Sequence, residues 1–370
     1  MIVRIFERPV EGQPFKRIGI SQRMTGEYEF SFYDYGRFTL SIHPTAQFSS
    51  ELQKDRIVEI DGIFWGIIKN RKIQRGGTNL ITVSGYQLKG LLWQRTTVPL
   101  NMPPSNAPAG FDSQQGSTEK IIKYFIGNNT QGIKRFFESF KISPNENKGF
   151  PTDTYFTRFE VLGDVISKLG KRVKLGWDIV GDDISGTFTL ITSIGADRTA
   201  QQCERSRVVF DLALGTLSDF ELAEERENAA NVFYCTKSGA EFEDEALTQT
   251  YYLDDIETVG IERIEKHLNI SISDDEDLFT KMRENAQKEM ENYRENITIS
   301  CTATERLIFG KDYFVGDTAT FRSTPDSIEA NRQITAVKVV VTENTVRHVI
   351  TMGEPRINKF DYIDREIKNR

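Results

Sequence analysis

The chain has 370 residues, of which 27% are charged and 38% apolar, and its net charge is −7. This length allows two or three domains with a buried core, and the composition is that of an ordinary globular protein. The negative charge disfavours a nucleic-acid reader, which would carry a basic stripe.

The chain shows no sign of export or of membrane insertion. Its first ten residues, MIVRIFERPV, alternate apolar with charged side chains, so no signal peptide is predicted there. No stretch reaches the roughly 18 apolar residues of a membrane span. The three cysteines lie far apart and do not form a disulfide framework, so folding in a reducing cytosol is expected.

The N-terminal part alternates apolar and polar residues, which predicts β-strands. Glycine-containing turns at Gly36, Gly62 and Gly76 separate several of them. Such a series of short strands is typical of a closed or nearly closed antiparallel barrel. The predicted strands are Ile2–Phe6, Arg17–Met24, Tyr28–Phe32, Arg37–His43, Ile57–Ile60, Ile63–Gln74 and Asn79–Ser84.

Aromatic residues cluster in this part of the chain. Their rings could stack on sugars or bases, or they could fill a core or an interface. Their period-2 spacing favours the core or interface. The cluster consists of Tyr28, Phe30, Phe32, Tyr33, Tyr35, Phe38, Phe64 and Trp65.

The middle of the chain mixes helices and strands. A proline-rich segment at 98–116 is predicted to be a loop or linker. Helices are predicted at Ser117–Ile126, where Ser117 can cap the N-terminus, and at Phe159–Leu169. A hairpin is predicted from Lys174–Ile179 and Thr187–Thr192. This segment is therefore α+β.

Strands return in the C-terminal part and enclose one clear helix. An acidic stretch, Gly239–Ile272, leads to the helix at Asp274–Glu295, which Ser273 or Asp274 can cap. Its apolar stripe is Leu278, Met282, Ala286, Met290 and Tyr293. The strands are predicted at Arg207–Leu212, Asn231–Thr236, Ile297–Ala303, Thr318–Phe321, Gln333–Thr342 and Val346–Met352.

Two segments repeat one order of elements. Residues 55–86 and 316–354 each contain a short strand, a long strand and a third strand that ends near glycine. The identity between them is negligible, so only the pattern is repeated. Two barrels of one topology in one chain would give this pattern.

The stretch Phe309–Phe321, FGKDYFVGDTATF, resembles a ligand loop at first sight. A P-loop would need glycine where Glu305 stands and a hydroxyl where Asp312 stands. The spaced oxygen ligands of an EF-hand are also missing. The stretch is interpreted as a turn in which Gly316 takes a special φ/ψ and Asp317 bonds backbone groups before a strand.

The other chemical motifs favour structural interpretations. The acidic run Ser273–Phe279 is predicted to be a helix N-terminus rather than a calcium loop. The acidic runs Glu221–Glu227 and Glu241–Glu245 could hold paired carboxylates for glycoside hydrolysis, but a solvated face is favoured. His43, His267 and His348 have neither metal-ligand spacing nor a triad context. No catalytic, cofactor-binding or metal-binding residue is predicted, and no enzyme is expected.

Several of these segments together resemble a known family. EFSFYDYGRFTLSIHP, IVEIDGIFWGIIKNRKI and LITVSGYQLKGLLWQR resemble the N-terminal part of siphophage tail-tip hub proteins. ENAANVFYCTKSG resembles the strand that begins the family's second barrel. FGKDYFVGDTATF, RQITAVKVVV and VRHVITMGEP resemble its C-terminal part. The resemblance covers roughly residues 1–360, and the family is related in fold to the baseplate hubs of contractile tails.

The resemblance implies a mainly β fold with two tail-tube-like antiparallel β-barrels, an α+β domain and a small helical insertion. The first barrel would be 1–98 and the α+β domain 99–205. The second barrel would be 206–236 with 297–356, interrupted by the insertion 237–296 and followed by a charged tail, 357–370. The structural signature turns would contain Gly36, Gly62, Trp65, Gly66, Gly310, Asp312, Tyr313, Gly316 and Asp317.

The resemblance also implies a function. The protein would be a structural hub at the distal end of a phage tail, assembled in the host bacterial cytoplasm and located at the tail tip of the virion. A homotrimer would join the distal tail protein or the hexameric tail tube to fibres, a spike or a receptor-binding protein, next to the tape measure protein. It would line the DNA ejection channel without binding DNA specifically, as part of host attachment.

Two alternatives stay open. The same fold serves as the hub of a contractile tail or injection device. A secreted glycoside hydrolase or carbohydrate-binding β protein could use the aromatic cluster, but it would need a signal peptide. Since the chain stops shortly after Pro355, any enzyme or adhesin is expected to be a separate protein.

Overall fold

The computed structural model divides the chain into two compact units. Unit 1 comprises residues 1–220 and 300–352, and unit 2 comprises residues 221–299 and 353–370. The structure describes residues 1–8, 13–77, 79–99, 110–130, 139–149, 151–237, 248–270, 278–290 and 293–353.

The N-terminal strands of unit 1 form one antiparallel series. Their order in the sheet is β2-β1-β5-β6-β7-β4-β3. The predicted alternation is confirmed, since Phe38, Leu40 and Ile42 of β4 are buried while the residues between them are not. The strands are β1 Val3–Phe6, β2 Arg17–Ser21, β3 Thr25–Ser31, β4 Arg37–Ile42, β5 Ile57–Ile60, β6 Phe64–Gln74 and β7 Leu80–Gln87.

The aromatic cluster fills the interior of unit 1, as the period-2 spacing predicted. Seven of its eight members are buried, and Tyr35 is partly buried. The Phe64 ring contacts both Tyr28 and Phe30 with ring centroids 5.3 Å apart. These rings therefore pack against each other inside the sheet and are not available to stack on a ligand.

The middle segment is α+β, as predicted. Strands β11, β12 and β9 form one small sheet, and β8 pairs with β10. Ile121 and Ile166 of the two helices share a core with Phe6 and Trp65 of the N-terminal strands. The elements are β8 Asp112–Ser117, α1 Thr118–Thr130, β9 Phe140–Ile142, β10 Pro151–Thr157, α2 Leu162–Val173, β11 Leu175–Asp182 and β12 Thr187–Ile194.

The cap predicted for the first helix is present, because the Ser117 hydroxyl accepts a hydrogen bond from the Lys120 N–H at 3.3 Å. The second helix begins three residues later than predicted. Phe159 has a φ of +55°, which is outside the helical region, and α2 starts at Leu162.

The C-terminal strands of unit 1 join the N-terminal strands in the same sheet. The first half of β20 pairs with β19, and its second half pairs with both β21 and β3. The elements are β13 Val209–Asp211, β14 Leu217–Glu225, β18 Asn296–Ala303, β19 Thr318–Ser323, β20 Ile328–Val341 and β21 Val346–Gly353; β14 and β18 each cross the boundary between the units.

The mainly β fold with α+β parts is thus confirmed, but the number of barrels is not. The described strands form open sheets and do not close into a ring within one chain. Two separate barrels per chain therefore stay a prediction.

Unit 2 contains a small three-stranded sheet that packs against one helix. Its strands are ordered β16-β15-β17, and the predicted stripe residues Met282, Ala286, Met290 and Tyr293 are buried against them. The elements are β15 Val232–Lys237, β16 Thr248–Tyr252, β17 Glu265–Ile270 and α3 Leu278–Met290. Ser273, Asp274, Glu241–Glu245 and the charged tail at 357–370 lie outside the described residues.

The strand predicted at Asn231–Thr236 is present as β15, and it pairs with β16 and β17. The physical reason is its apolar side, because Phe233 and Cys235 pack on the stripe of α3.

Candidate functional site

The stretch Phe309–Phe321 forms a compact turn followed by β19. The Asp312 carboxylate accepts a hydrogen bond from the Ile308 N–H at 2.7 Å, and the Gly310 N–H donates to the Tyr313 carbonyl at 3.0 Å. Asp312 is thus occupied in closing the turn on itself. The Asp312 bond closes the five residues 308–312, and a carboxylate in this position does not belong to a phosphate cradle.

Gly316 lies where the backbone and a neighbouring ring both require glycine. Its φ is +99°, and a Cβ at this position would fall 2.2 Å from the Phe32 ring. Its carbonyl would in turn lie 1.6 Å from a Cβ added at Gly195. Around this glycine the turn thus packs against the Phe32 ring, just after β3, and its backbone closely approaches Gly195, just after β12.

Asp317 connects the turn to the segment that follows β12. Its buried carboxylate accepts hydrogen bonds from the Ala196 N–H at 2.8 Å, the Arg198 Nε at 2.7 Å and the Phe314 N–H at 3.0 Å. Charge-assisted bonds of this kind are the strong ones in proteins. The predicted role of Asp317 as an acceptor for backbone groups before a strand agrees with these contacts.

Tyr313 anchors the turn from inside. It is fully buried, and its ring meets the Phe210 ring edge-on at 5.4 Å. Its hydroxyl has no hydrogen-bond partner among the described residues. Burial raises the pKa of this hydroxyl, so the side chain is a neutral packing group.

The N-terminal signature residues form two further turns. Gly36 donates its N–H to the Gln87 side chain at 3.1 Å, and a Cβ there would lie 1.6 Å from the Glu29 carbonyl. Gly62 has a φ of +80° and follows Asp61, whose carboxylate accepts the Ile2 N–H at 2.8 Å. Both turns hold neighbouring strands in register.

Trp65 and Gly66 begin the long strand β6. The Trp65 ring packs on Phe6 with centroids 5.1 Å apart, and a Cβ on Gly66 would lie 2.7 Å from the Phe38 ring. The nine signature residues thus occupy separate places in unit 1, and the structure does not bring them together as one pocket. Their importance as a family signature stays a proposal.

One buried polar group was missed by the sequence interpretation. The Lys89 ammonium donates to the carbonyls of Trp177, at 3.0 Å, and of Ser31, and it is almost fully buried. Burial lowers the pKa of Lys89 to about 8, although Asp178 opposes the shift. Burial also raises the pKa of Asp178. A lysine in the apolar run LKGLLW was the only signal for this link between β3 and β11.

Histidines and cysteines are scattered through the described residues. His43 bonds Thr45, His267 bonds Thr236, and His348 lies against the Phe309 ring. Burial raises the pKa of both Cys235 and Cys301 to about 12, which keeps these thiols protonated. Within the described ranges, no group of side chains could hold a metal ion, and no helix is long and apolar enough to cross a membrane.

The glutamates of the acidic run Glu221–Glu227 are exposed to solvent, as the sequence predicted. Most of the run belongs to strand β14. The contacts of the candidate site are therefore those of a scaffold: turns, close backbone approach and buried ion pairs.

Comparison with known proteins gives the family. The family model of the Siphovirus ReqiPepy6 Gp37-like proteins matches residues 3–354. No curated protein matches the sequence.

Solved structures of phage tail proteins have a similar fold. The tail protein from Neisseria meningitidis MC58 is 14% identical with a TM-score of 0.59, over 95% of this chain and 96% of that one. The 43 kDa tail protein of prophage MuSo2 from Shewanella oneidensis is 11% identical with a TM-score of 0.59, over 95% and 98%. The prophage tail protein gp18 from Listeria monocytogenes EGD-e is 11% identical with a TM-score of 0.52, over 100% and 99%.

The resemblance inferred from the sequence is thus confirmed at the level of the family and the fold. The chain belongs to the Siphovirus ReqiPepy6 Gp37-like protein family, and its fold is similar to that of solved tail proteins.

Proposed function

We propose that this protein is the structural hub at the distal end of a siphophage tail. Three copies form a ring that joins the tail tube or the distal tail protein to the fibres or tip. The DNA leaves the particle through this ring. The role is structural.

A pair of similar strand triplets carries this proposal. Strands β5, β6 and β7 form an antiparallel meander of 4, 11 and 8 residues, and β19, β20 and β21 form one of 6, 14 and 8 residues. Each long strand also contains a register shift against its third strand, at Ile68/Asn70 and at Ile334/Ala336. The repeat seen in the sequence is thus a repeat of structure.

Two equivalent meanders per chain support a threefold assembly. Three copies present six such units around one axis, and this number matches a sixfold tail. The pairing of β3 with β20 places both meanders in one sheet, so that each copy supplies a continuous part of the ring wall.

The oligomeric state tests the proposal. Light scattering on the purified protein, alone and with its tail partners, should give three copies per complex. A reconstruction of the tail tip should show threefold symmetry for this chain. A dimer in the assembled particle would falsify the trimeric hub.

The position in the virion is a separate test. Antibodies against the chain should label the distal end of the tail in electron micrographs, with antibodies against the major tail tube protein as the control. Label distributed along the tube, or on the head, would contradict a hub at the tip.

A further inference from the structure

The loop that joins β16 to β17 in unit 2 exposes three aliphatic side chains. It comprises residues 253–264 and passes across the N-terminal end of β15, where β15 pairs with both of these strands. Ile256 is 64% exposed, Val259 73% and Ile261 99%. A single exposed aliphatic side chain is ordinary, whereas several on one short loop indicate a surface for another molecule. We refer to residues 253–264 as the aliphatic loop.

Polar groups hold the backbone of the aliphatic loop on the sheet. The Asn231 side chain, next to β15, donates from Nδ2 to the Glu262 carbonyl at 2.7 Å and accepts the Ile264 N–H at Oδ1 at 2.8 Å. The Arg263 Nη1 donates to the Thr258 carbonyl at 3.2 Å. These bonds hold the loop in place while its aliphatic side chains stay in water. A binding surface fixed in this way loses little conformational entropy when a partner docks.

The entry to the aliphatic loop carries backbone strain. Asp254 and Asp255 are consecutive, and both have a φ of +57°, in the left-handed region that non-glycine residues rarely adopt. An arginine holds each carboxylate. The Arg294 Nη1 donates to the Asp254 Oδ2 at 2.8 Å, and the Arg283 Nη2 lies 3.4 Å from the Asp255 Oδ1. Strained residues cluster at functional sites, where surrounding contacts maintain them, so the strain supports a binding role independently of the exposed side chains.

The charges on the aliphatic loop indicate the chemistry of its partner. Glu257 and Glu262 stand beside the aliphatic side chains in sequence, are exposed, and form no ion pair with any described residue. A complementary protein surface places lysines or arginines opposite them. A lipid surface is disfavoured, because interfacial segments bind anionic lipids through lysines and arginines, and these two carboxylates are repelled there.

We propose that the aliphatic loop docks into an apolar pocket, with lysines or arginines at its rim, on a neighbouring protein of the tail. Ile256, Val259 and Ile261 fill the pocket as anchors, and the two glutamates select the partner by charge. The proposal rests on the proposed function in that the chain is built into a tail. It adds the surface and the chemistry of one contact in that assembly.

Removal of the aliphatic side chains tests the contact. Tails assembled without the chain are mixed with purified protein, and immunoblots of the reisolated particles measure how much is incorporated. Ile256→Ser, Val259→Ser and Ile261→Ser combined should lower incorporation by about tenfold or more, because apolar anchors dominate such contacts. The control, Ile184→Ser, should incorporate as the wild type does, since Ile184 is a single aliphatic residue, 98% exposed, in unit 1. Normal incorporation of the triple variant would overturn the proposal.

Charge reversal tests the rim of the pocket, and it decides the outcome if the triple variant unfolds at a lower urea concentration than the wild type. Glu257→Lys with Glu262→Lys should lower incorporation by about tenfold, because the new lysines meet like charges. Wild-type incorporation should also slow as salt rises. Glu204→Lys with Glu305→Lys reverses two other exposed glutamates and should incorporate normally. Equal loss in both double variants, or loss in neither, would contradict a basic rim.

A photoreactive amino acid in place of Val259 identifies the partner in purified particles. The cross-linked peptide should come from another tail protein and contain aliphatic residues next to lysine or arginine. A cross-link to a second copy of this chain would overturn the proposed partner. Vesicles of phosphatidylglycerol and phosphatidylcholine test the lipid alternative, since binding that the triple serine variant abolishes would assign the loop to a membrane instead.

Failure of this proposal is distinguishable from failure of the hub function. Particles that carry the chain at the tail tip, but that incorporate the triple serine variant normally, refute only the docking role of the loop. Antibody label along the tube, together with poor incorporation of the triple variant, refutes the hub and supports the docking role.

Discussion

At the scale of single residues, unit 1 depends on glycines that face aromatic rings. The Phe32 ring lies between two of them, since a Cβ on Gly176 would come within 2.1 Å of it and a Cβ on Gly316 within 2.2 Å. These two glycines belong to β11 and to the turn before β19, which are far apart in sequence. One ring thus fixes the distance between the α+β segment and the C-terminal strands.

We expect Gly316→Val to destabilise the protein by about 3 kcal/mol or more, because the positive φ costs about 1–3 kcal/mol and the overpacking adds a similar amount. Gly310→Val is the matched control. Gly310 also has a positive φ, +82°, but no atom lies within 4 Å of its added Cβ, so only the backbone cost of about 1–2 kcal/mol applies. Urea unfolding of the two variants measures the difference, and equal losses would show that the contact with Phe32 is unimportant.

Glu119 should contribute to acid stability. Burial alone would raise the pKa of this fully buried carboxylate, but hydrogen bonds from Lys123 and Thr192, both at 2.6 Å, and from the Lys148 N–H lower it to about 2. A carboxyl whose pKa is lower in the folded chain stabilises the fold above its unfolded pKa of 4.5. This contribution is lost as the pH falls from about 5 through 2.

Glu119→Gln should therefore lower the free energy of unfolding by about 2 kcal/mol at pH 7, the value typical of a buried charge-assisted hydrogen bond. The difference from the wild type should shrink as the pH is lowered towards 2. Glu146→Gln is the control, since Glu146 is exposed and its ion pair with Lys148 is a surface one. Urea titrations at pH 7 and at acidic pH measure both, and a pH-independent difference would argue against the ionised carboxylate.

At the scale of elements, the periodicity of the sequence predicted the strands and helices better than their partners. The alternation in Arg37–His43 and the 3.6-residue stripe of α3 correspond to β4 and to a buried helix face. The same alternation in Asn231–Thr236 shows that one side is apolar, but it does not encode which neighbour covers that side. The different partners of the two halves of β20 could not be predicted for the same reason. Pairing between strands that are distant in sequence depends on where they meet in the folded chain.

The candidate site could be predicted only in part. Gly316 and Asp317 were identified because turn chemistry is local, and the contacts of Asp317 agree with the expectation. The network around Lys89 and the burial of Glu119 were missed, since both depend on long-range packing. The sequence alone does not show whether a charged residue is buried or exposed, because its burial depends on the partners that it meets in the folded chain.

The helix of unit 2 allows a prediction with an internal control. Met282 is completely buried on α3, whereas Phe279 of the same helix is 54% exposed. Met282→Ala should cost about 2–5 kcal/mol through the cavity it leaves, while Phe279→Ala should change stability by less than about 0.5 kcal/mol. Chemical denaturation followed by the fluorescence of the tyrosines reports both, and a larger effect at Phe279 would mean that an interface covers this position.

At the scale of the whole molecule, proteins with very different sequences share this fold. Solved tail proteins share it at 11–14% identity over nearly the whole chain. In this chain, the alternation of apolar residues and the placement of turns are what made the family visible in the sequence. The charge of the whole chain, −7, is a property that such a pattern does not fix.

This charge leads to an expectation for the free protein. A protein binds duplex DNA at moderate salt when several unpaired lysines and arginines lie close together on one surface. Here several cations are paired with carboxylates, for example Lys338 of β20 with Glu27 of β3, and Arg198 with Asp317 beneath the turn. The purified chain should therefore give no shift of double-stranded DNA in a gel titration at about 150 mM salt, where charges are screened beyond ~8 Å. Thr39→Lys with Ser84→Lys, which places two cations opposite each other on β4 and β7, should produce a shift that weakens as salt rises, and it serves as the positive control for the assay. Tight binding by the wild-type chain, falling steeply with salt, would mean that the chain carries a basic surface that binds DNA in spite of its net negative charge.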